Sequence, residues 1–183
     1  MEHILLKSNG YCKIGCYDSC LNFVKTEKNR WDRVQNSKSY IAPEGNKIGA
    51  TYSYDYWCLG ISIFKMLTNK FPFQNKLSML EDLVPEIEDK NVSIEAKNLV
   101  TNLLVKDPTE RLGCKKADKK FKNDPFFNLV LFDDMKNYIV THDSKNSERN
   151  IKEDEFFKEI DFVKLEKMEI KPPFLPYVVS NSN

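Results

Sequence analysis

Three cysteines stand at four-residue steps near the start of the chain: Cys12, Cys16 and Cys20. Thiolates bind zinc, but structural zinc sites usually combine two ligand pairs, each with about two to four residues between its members. The spacing here would place the three thiols on one face only in a helix, whereas this stretch is typical of a strand and a turn. His3 and His142 are the only histidines, so no fourth ligand is evident. The pattern therefore argues against a metal site made by these cysteines.

Composition limits the partners that this chain is expected to bind. Its 183 residues carry 28 Lys and Arg against 27 Asp and Glu, a net charge of +1. Because positive and negative charges are nearly equal in number, the chain has no overall electrostatic field that would attract nucleic acid. The N-terminus lacks the parts of a signal peptide, and no apolar run reaches the roughly 18 residues that span a bilayer. Five cysteines without a paired framework favour a reducing cytoplasmic setting, with the nucleus as the alternative.

The residue pattern predicts a mostly helical chain that begins with a β-hairpin. Two short apolar runs flank Ser8-Asn9-Gly10, and Asn-Gly is a strong hairpin signal because it tolerates positive φ. Residues 54–67 are apolar on nearly every face, which predicts a helix buried on all sides. Ser93 is placed to cap an amphipathic helix that ends before Pro108. The predicted apolar stripe of that helix comprises Ala96, Leu99, Val100, Leu103 and Leu104.

Two stretches are typical of irregular structure. Residues 115–122 are locally basic, and a solvated loop is favoured there over a binding patch. Residues 141–155 contain one aliphatic residue in fifteen, which predicts a flexible linker.

Five ordered motifs resemble the C-terminal lobe of an AGC-group serine/threonine protein kinase. The stretch ILLKSNGYCKIG resembles the hairpin between the catalytic loop and the metal-binding motif of that family. The others resemble the A-P-E end of the activation segment, the D-x-W-x-x-G start of the central helix, the L-L-x-x-D-P-x-x-R-L-G motif and the start of the AGC C-terminal tail. They are SYIAPE (39–44), DYWCLG (55–60), LLVKDPTERLG (103–113) and IDFVKLEKMEIKPPFLP (160–176).

This resemblance, to protein kinase C-like or receptor kinases of the group, implies a fold class and a division of the chain. The fold would be mainly α with a small β-hairpin, as in the C-terminal, larger lobe of the protein kinase fold alone. Residues 1–127 would form a partial kinase domain and residues 128–153 an insert or flexible linker. Residues 154–183 would be the start of the AGC tail.

The resemblance also accounts for the central cysteine. Aligned with the family's K-I-x-D-F-G-L-C, Cys16 stands in place of the aspartate that holds Mg²⁺, and Asp18 comes two residues too late to replace it. The second Mg²⁺ ligand of the family, an asparagine, corresponds to His3. Mg²⁺ prefers oxygen ligands in near-octahedral geometry, so a thiol is a poor substitute. The resemblance therefore implies no cofactor-binding or metal-binding residue in this chain.

Other catalytic parts of the family would lie upstream of Met1. They are the catalytic-loop aspartate, the Gly-rich loop and the Lys–Glu pair that hold ATP, on whose positioning phosphoryl transfer depends. We therefore expect no catalytic residue here. The alternative is an active AGC kinase, with ATP and magnesium as cofactors, seen as an incomplete sequence. Against this alternative, His3 and Cys16 would remain whatever preceded them.

Most of the family residues that this chain keeps are expected to be structural. It implies a buried ion pair between Glu44 and Arg111, which would join the activation segment to the helices beyond it. Asp55 caps the central helix in the family and braces the catalytic loop; its alternative role is a favourable charge at a helix N-terminus. Trp57 and Gly60 belong to the same motif and are expected to be structural.

The activation segment departs further from the family. Arg33 replaces the usual phospho-acceptor, so no phosphate-ordered switch is expected there. Ser37 stands where the family has a threonine beside the substrate, which makes it a candidate for substrate or partner binding. The alternative is that Ser37 only caps a turn.

Three functions are compatible with these residues. The family packs its central helix against a helix that would lie upstream of Met1, so one side of residues 54–67 is expected to lack cover. Exposed apolar surface of a few hundred Å² marks either a binding site or an aggregation hazard. The leading hypothesis is a degenerate kinase-like fragment, or pseudokinase, that binds a protein such as a kinase, a substrate or a chaperone. The others are the incomplete active kinase and a non-functional product of a decaying gene.

Overall fold

The part of the chain that the structure describes is mainly helical and also contains two short antiparallel strand pairs. The computed structural model describes residues 3–15, 38–46, 52–81, 83–108, 110–113, 115–116, 140–141 and 151–176. In chain order the elements are β1 (Ile4–Leu6), β2 (Cys12–Ile14), α1 (Tyr52–Thr68), α2 (Lys76–Glu81), α3 (Ile94–Leu103), β3 (Lys115–Lys116), β4 (Val140–Thr141) and α4 (Phe162–Glu166). Short 3-10 turns cover Lys38–Tyr40, Pro43–Asn46, Ile151–Glu153 and Glu155–Phe157. This architecture is consistent with a partial kinase fold.

The chain divides into two compact units. One contains Met1–Cys20 and Glu159–Asn183, and the other contains Leu21–Lys158. The first unit therefore combines the hairpin with α4 and the segment after it. The second unit contains the three longer helical elements and the β3–β4 pair.

The predicted hairpin is confirmed. β1 and β2 pair antiparallel, with Ile4 opposite Ile14 and Leu6 opposite Cys12. The amide of Gly10 donates to the Lys7 carbonyl oxygen at 2.8 Å, and Gly10 has φ +81°, a left-handed conformation that favours glycine. The Asn-Gly signal thus indicated the existence of the hairpin, and the structure adds its register.

Helix α4 is short but capped at both ends. The Asp161 carboxylate accepts from the amides of Val163 and Lys164, each at 3.1 Å. At the other end the Met168 amide donates to Leu165 and the Glu169 amide to Lys164, while Met168 itself has φ 58°. This is the hydrogen-bond pattern of a Schellman motif, with methionine where glycine is usual.

The core of the second unit lies between α1 and α3. Ser93 caps α3 by accepting from the Ala96 amide at 3.2 Å, as its position predicts. The predicted apolar stripe of α3 and the residue after it is confirmed, since all five side chains are buried. From α1, the buried side chains are Tyr54, Trp57, Ile61 and Phe64.

One face of α1 is not buried. The pattern-based prediction of a helix buried on all sides is therefore wrong, whereas the expectation from the family resemblance that one side would lack cover agrees with the structure. Leu59 is 38% exposed and Met66 is 58% exposed. Asp55 lies on the same side of the helix and is also exposed. Apolar periodicity shows which residues favour burial, but it does not show whether a neighbouring element is present to cover each face.

Two short elements lie within stretches that were predicted to be a loop and a linker. Lys115 and Lys116, expected in a solvated loop, pair with Thr141 and Val140 in a short antiparallel ladder. Within the predicted linker, Ile151–Glu153 forms a 3-10 turn. Strand pairing and turns depend on backbone hydrogen bonds, which composition alone does not reveal. No helix in the described ranges has the length and apolar character needed to cross a bilayer.

Candidate functional site

A buried ion pair joins two segments of the second unit. Arg111 Nη1 donates to Glu44 Oε1 at 2.7 Å, and Arg111 Nη2 donates to Glu44 Oε2 at 3.1 Å. Two parallel charge-assisted bonds of this kind fix both distance and orientation. Glu44 lies in the Pro43–Asn46 turn, and Arg111 follows α3. The two residues are therefore brought together in the way that their motif positions predict.

The remaining donors of the Arg111 side chain are also used. Nη1 donates to the Ser53 carbonyl oxygen at 2.7 Å, and Nε donates to the Val105 carbonyl oxygen at 2.9 Å. The Ser53 hydroxyl donates to Glu44 Oε1 at 3.1 Å. Because both charges are paired and hydrogen-bonded, this cluster is suited to holding a fold together. Sequence reasoning missed Ser53, for which the only signal was its position beside the start of α1.

Trp57 and Gly60 set the contact between α1 and α3. Trp57 is fully buried, and its ring stacks on Phe73 with centroids 5.7 Å apart. The Arg111 guanidinium carbon lies 5.1 Å from the centre of the Trp57 ring, within the range of a cation–π contact. A Cβ on Gly60 would stand 2.8 Å from Leu104 Cδ2. Gly60 thus allows the two helices to approach closely.

Burial perturbs three ionisable groups on α1. Desolvation raises the pKa of the Tyr54 hydroxyl, and it raises the pKa of the Cys58 thiol to about 12. Asp55 is exposed as a residue, but the protein around its carboxyl desolvates that group and raises its pKa. The Cys58 thiol donates to the Tyr40 carbonyl oxygen at 3.4 Å. A thiol with so high a pKa carries little thiolate, which favours a structural role for Cys58 over a nucleophilic one.

His3, one of the two positions that correspond to family magnesium ligands, lies at the open end of the hairpin. The Gly15 amide donates to the His3 carbonyl oxygen at 2.8 Å, which extends the β1–β2 ladder by one step. Cys16 is the next residue in the chain, although it lies outside the described residues. Among the residues that the structure does describe, no three His, Cys, Asp or Glu side chains form a group that could hold a metal ion.

The structure does not describe every predicted site residue. Ser37, the candidate for substrate or partner binding, lies outside the described residues, as do Asp18 and Arg33. Asp55 lies in the first turn of α1, where a negative charge interacts favourably with the positive end of the helix dipole.

Comparison with known proteins gives consistent matches. The family model described as "Protein kinase domain" matches residues 1–127. Protein kinase C epsilon type from Oryctolagus cuniculus is 29% identical over 97% of this chain and 21% of its own length. A Dictyostelium discoideum protein named as a probable serine/threonine-protein kinase is 31% identical over 96% of this chain and 32% of its own length. Serine/threonine-protein kinase Sgk1 from Rattus norvegicus is 31% identical over 76% of this chain. The chain spans between 21% and 33% of the length of these relatives.

Proposed function

We propose that this chain, which belongs to the protein kinase family and is homologous to AGC serine/threonine kinases, is a degenerate kinase domain that serves as a protein-interaction module. Its 183 residues would correspond to the C-terminal lobe, with residues 1–127 as the partial domain, 128–153 as an insert and 154–183 as the start of the AGC tail. The order of its motifs supports this division.

One observation carries the proposal: the hairpin ladder sets His3 opposite Gly15, directly before Cys16. In the family, the two corresponding side chains hold magnesium through oxygen atoms. Imidazole and thiol are softer ligands that suit zinc or copper better than magnesium. The residues present therefore do not fit a Mg²⁺–ATP site, and we derive no phosphoryl-transfer step through one.

The buried network around Arg111 supports a folded module rather than a decaying product. A buried carboxylate and guanidinium that lose their partners destabilise a fold strongly, so such a network persists only while its parts remain matched. Here Glu44, Ser53 and Arg111 are all matched, with bonds of 2.7 to 3.1 Å. On this proposal, four residues stabilise the scaffold: Glu44, Arg111, Trp57 and Gly60. Asp55 places a carboxylate at the start of α1, and Ser37 is available to bind a partner.

The partner surface proposed is the exposed face of α1. Leu59 and Met66 present apolar side chains there. An apolar helix face of this kind suits the apolar face of a partner protein's helix. Replacing both residues with aspartate should abolish partner binding without unfolding the chain, because both are already in contact with water. Leu83→Asp is the matched control, since Leu83 is 87% exposed.

Thermal unfolding with and without Mg²⁺–ATP tests the loss of catalysis. A ligand that binds only the folded state raises its stability, so the proposal expects no shift in Tm. The measurement should be made on this chain and on any longer product of its transcript, alongside transfer of labelled γ-phosphate to a peptide. The double variant His3→Asn, Cys16→Asp restores the family's oxygen donors and is the matched comparison. A Tm increase, or label transfer that depends on the unmodified polypeptide, would overturn the proposal in favour of an active AGC kinase.

A further inference from the structure

We propose that residues 168–174, named the tail strap, form a releasable strap that is clamped in cis by the turn of the β1–β2 hairpin. The strap and the hairpin belong to the same compact unit. The clamp holds the C-terminal segment of the chain in place, and it does not depend on whether the protein transfers phosphate.

Burial along the hairpin indicates where the strap lies. Residues 3–9 and 12–14 are exposed, whereas Gly10 and Tyr11 in the turn are half-buried. A hairpin turn is normally its most exposed part, because chain reversal takes place at the surface. The cover on Gly10 and Tyr11 therefore comes from another segment of the chain.

The tail strap shows the complementary pattern. Ile170 and Pro172 are half-buried, whereas Lys171 and Pro173 are exposed. Alternation of this kind is typical of an extended segment that lies with one edge against a surface. The segment has neither helix nor strand, so its position depends on these contacts.

Gly10 makes room for the strap. A Cβ at this position would overlap the carbonyl oxygen of Phe174 and stand 2.7 Å from Pro172 Cβ. The strap thus occupies the space that any other side chain would need. Gly10 serves two purposes at once, since its φ of +81° also closes the turn.

Two side chains add polar contacts on either side of Gly10. The Tyr11 hydroxyl donates to the Ile170 carbonyl oxygen at 2.5 Å. The Asn9 amide donates to the Met168 sulfur at 3.9 Å, a weaker contact. Asn9, Gly10 and Tyr11 therefore meet the strap at three successive points.

The strap is releasable because each element that it joins has hydrogen bonds of its own. The hairpin turn is closed by bonds between Lys7 and Gly10 and between Lys7 and Tyr11, each 2.8 Å long. Helix α4 is capped by Asp161 and closed by the Met168 and Glu169 amides. Lifting residues 170–174 breaks none of these bonds, because the Met168 and Glu169 amides stay bonded to α4. This is the condition for a local opening rather than global unfolding. Release would free the half-buried apolar side chains of Ile170 and Pro172.

Limited chymotrypsin digestion of the full chain, followed by mass spectrometry, tests this inference. The Phe174 side chain is exposed, but its carbonyl oxygen lies against Gly10, so cleavage after Phe174 requires this backbone to leave the turn. Cleavage after Phe162 requires α4 to open. Tyr11→Phe removes one hydroxyl donor and should accelerate cleavage after Phe174 by about threefold to tenfold. Gly10→Asn, which tolerates positive φ but adds a Cβ, should accelerate it at least as much. Lys13→Ala, at an exposed position on β2, is the matched control and should leave the rate unchanged.

The two cleavage sites separate the possible outcomes. Faster cleavage after Phe174, with cleavage after Phe162 unchanged, supports a releasable strap. Unchanged cleavage after Phe174 in both variants would show that the turn does not hold the strap. Equal acceleration at both sites would show that these contacts maintain the whole unit, and it would also contradict the proposal.

Discussion

Arg111 Nη1 lies 2.7 Å from Glu44 Oε1, and the two side chains are 0% and 3% exposed. Removing one partner of such a pair leaves the other charge buried without compensation. We expect Glu44→Gln to lower the free energy of unfolding by about 3–5 kcal/mol. Urea denaturation followed by circular dichroism measures this loss.

The exposed ion pair between Lys158 and Glu155 provides the control for that measurement. These side chains are 55% and 66% exposed, so water already screens their charges. We expect Glu155→Gln to change the free energy of unfolding by no more than about 1 kcal/mol. Similar effects of the two substitutions would contradict a stabilising role for the buried pair.

Gly60→Ala tests the close approach of α1 and α3. Alanine favours a helix interior over glycine by about 0.5–1 kcal/mol. Against this, the added Cβ would lie 2.8 Å from Leu104 Cδ2 and 2.9 Å from Leu103 Cβ. Overpacking of a core costs about 1–3 kcal/mol, so we expect a net destabilisation of about 1 kcal/mol.

The matched control for Gly60→Ala is Asn98→Ala. Asn98 is exposed on α3, so only helix propensity changes, and a gain of a few tenths of a kcal/mol is expected. Chemical denaturation of both variants distinguishes the two effects. A stability increase in Gly60→Ala would mean that the two helices adjust without strain.

The extent to which sequence reasoning succeeded differs between elements for physical reasons. The hairpin and α3 were predicted because their signals are local: Asn-Gly at a turn, a serine cap, and an apolar stripe of period 3.6. The pairing of Glu44 with Arg111 spans 67 positions. No local pattern reveals a contact of that range, and only the family resemblance suggested it.

The tail strap could not be predicted from either source. The bond between Tyr11 and Ile170 spans 159 positions, and its acceptor is a backbone carbonyl that every residue possesses. Gly10 contributes by lacking a side chain, which sequence reasoning attributes to the turn alone. The exposed face of α1 is a different case, because the apolar pattern alone predicted burial on all sides, whereas the family resemblance predicted that one side would lack cover.

The two cysteines that the structure describes should differ strongly in reactivity. Cys12 is exposed on β2, whereas Cys58 is half-buried on α1 with its thiol donating to Tyr40. Burial raises the pKa of the Cys58 thiol to about 12, so almost no thiolate is present at pH 8. We expect iodoacetamide to alkylate Cys12 rapidly and Cys58 only after unfolding. Peptide mapping by mass spectrometry measures both rates, and equal labelling in the native protein would contradict this.

The Asp161 cap of α4 should have a pH dependence of defined sign. Bonds from the backbone amides, the Lys164 amide first, hold the pKa of Asp161 below its usual value of 3.8. Since the folded-state pKa is the lower one, the cap stabilises α4 fully above the unfolded value. This contribution is lost as the pH falls through the lowered folded-state value. We therefore expect the Val163 and Lys164 amide resonances to stay constant above about pH 5 and to shift only below about pH 4.

Two variants at the same position test that cause. Asp161→Asn keeps a side-chain oxygen that can accept both amide bonds but does not titrate, so its amide resonances should be independent of pH. Asp161→Ala should lack the capped resonance positions at every pH. A transition in the unmodified chain with its midpoint at or above 3.8 would show that the amide bonds do not stabilise the ionised carboxyl. The same would follow if Asp161→Asn titrated like the unmodified chain, because another group would then be responsible for the shift.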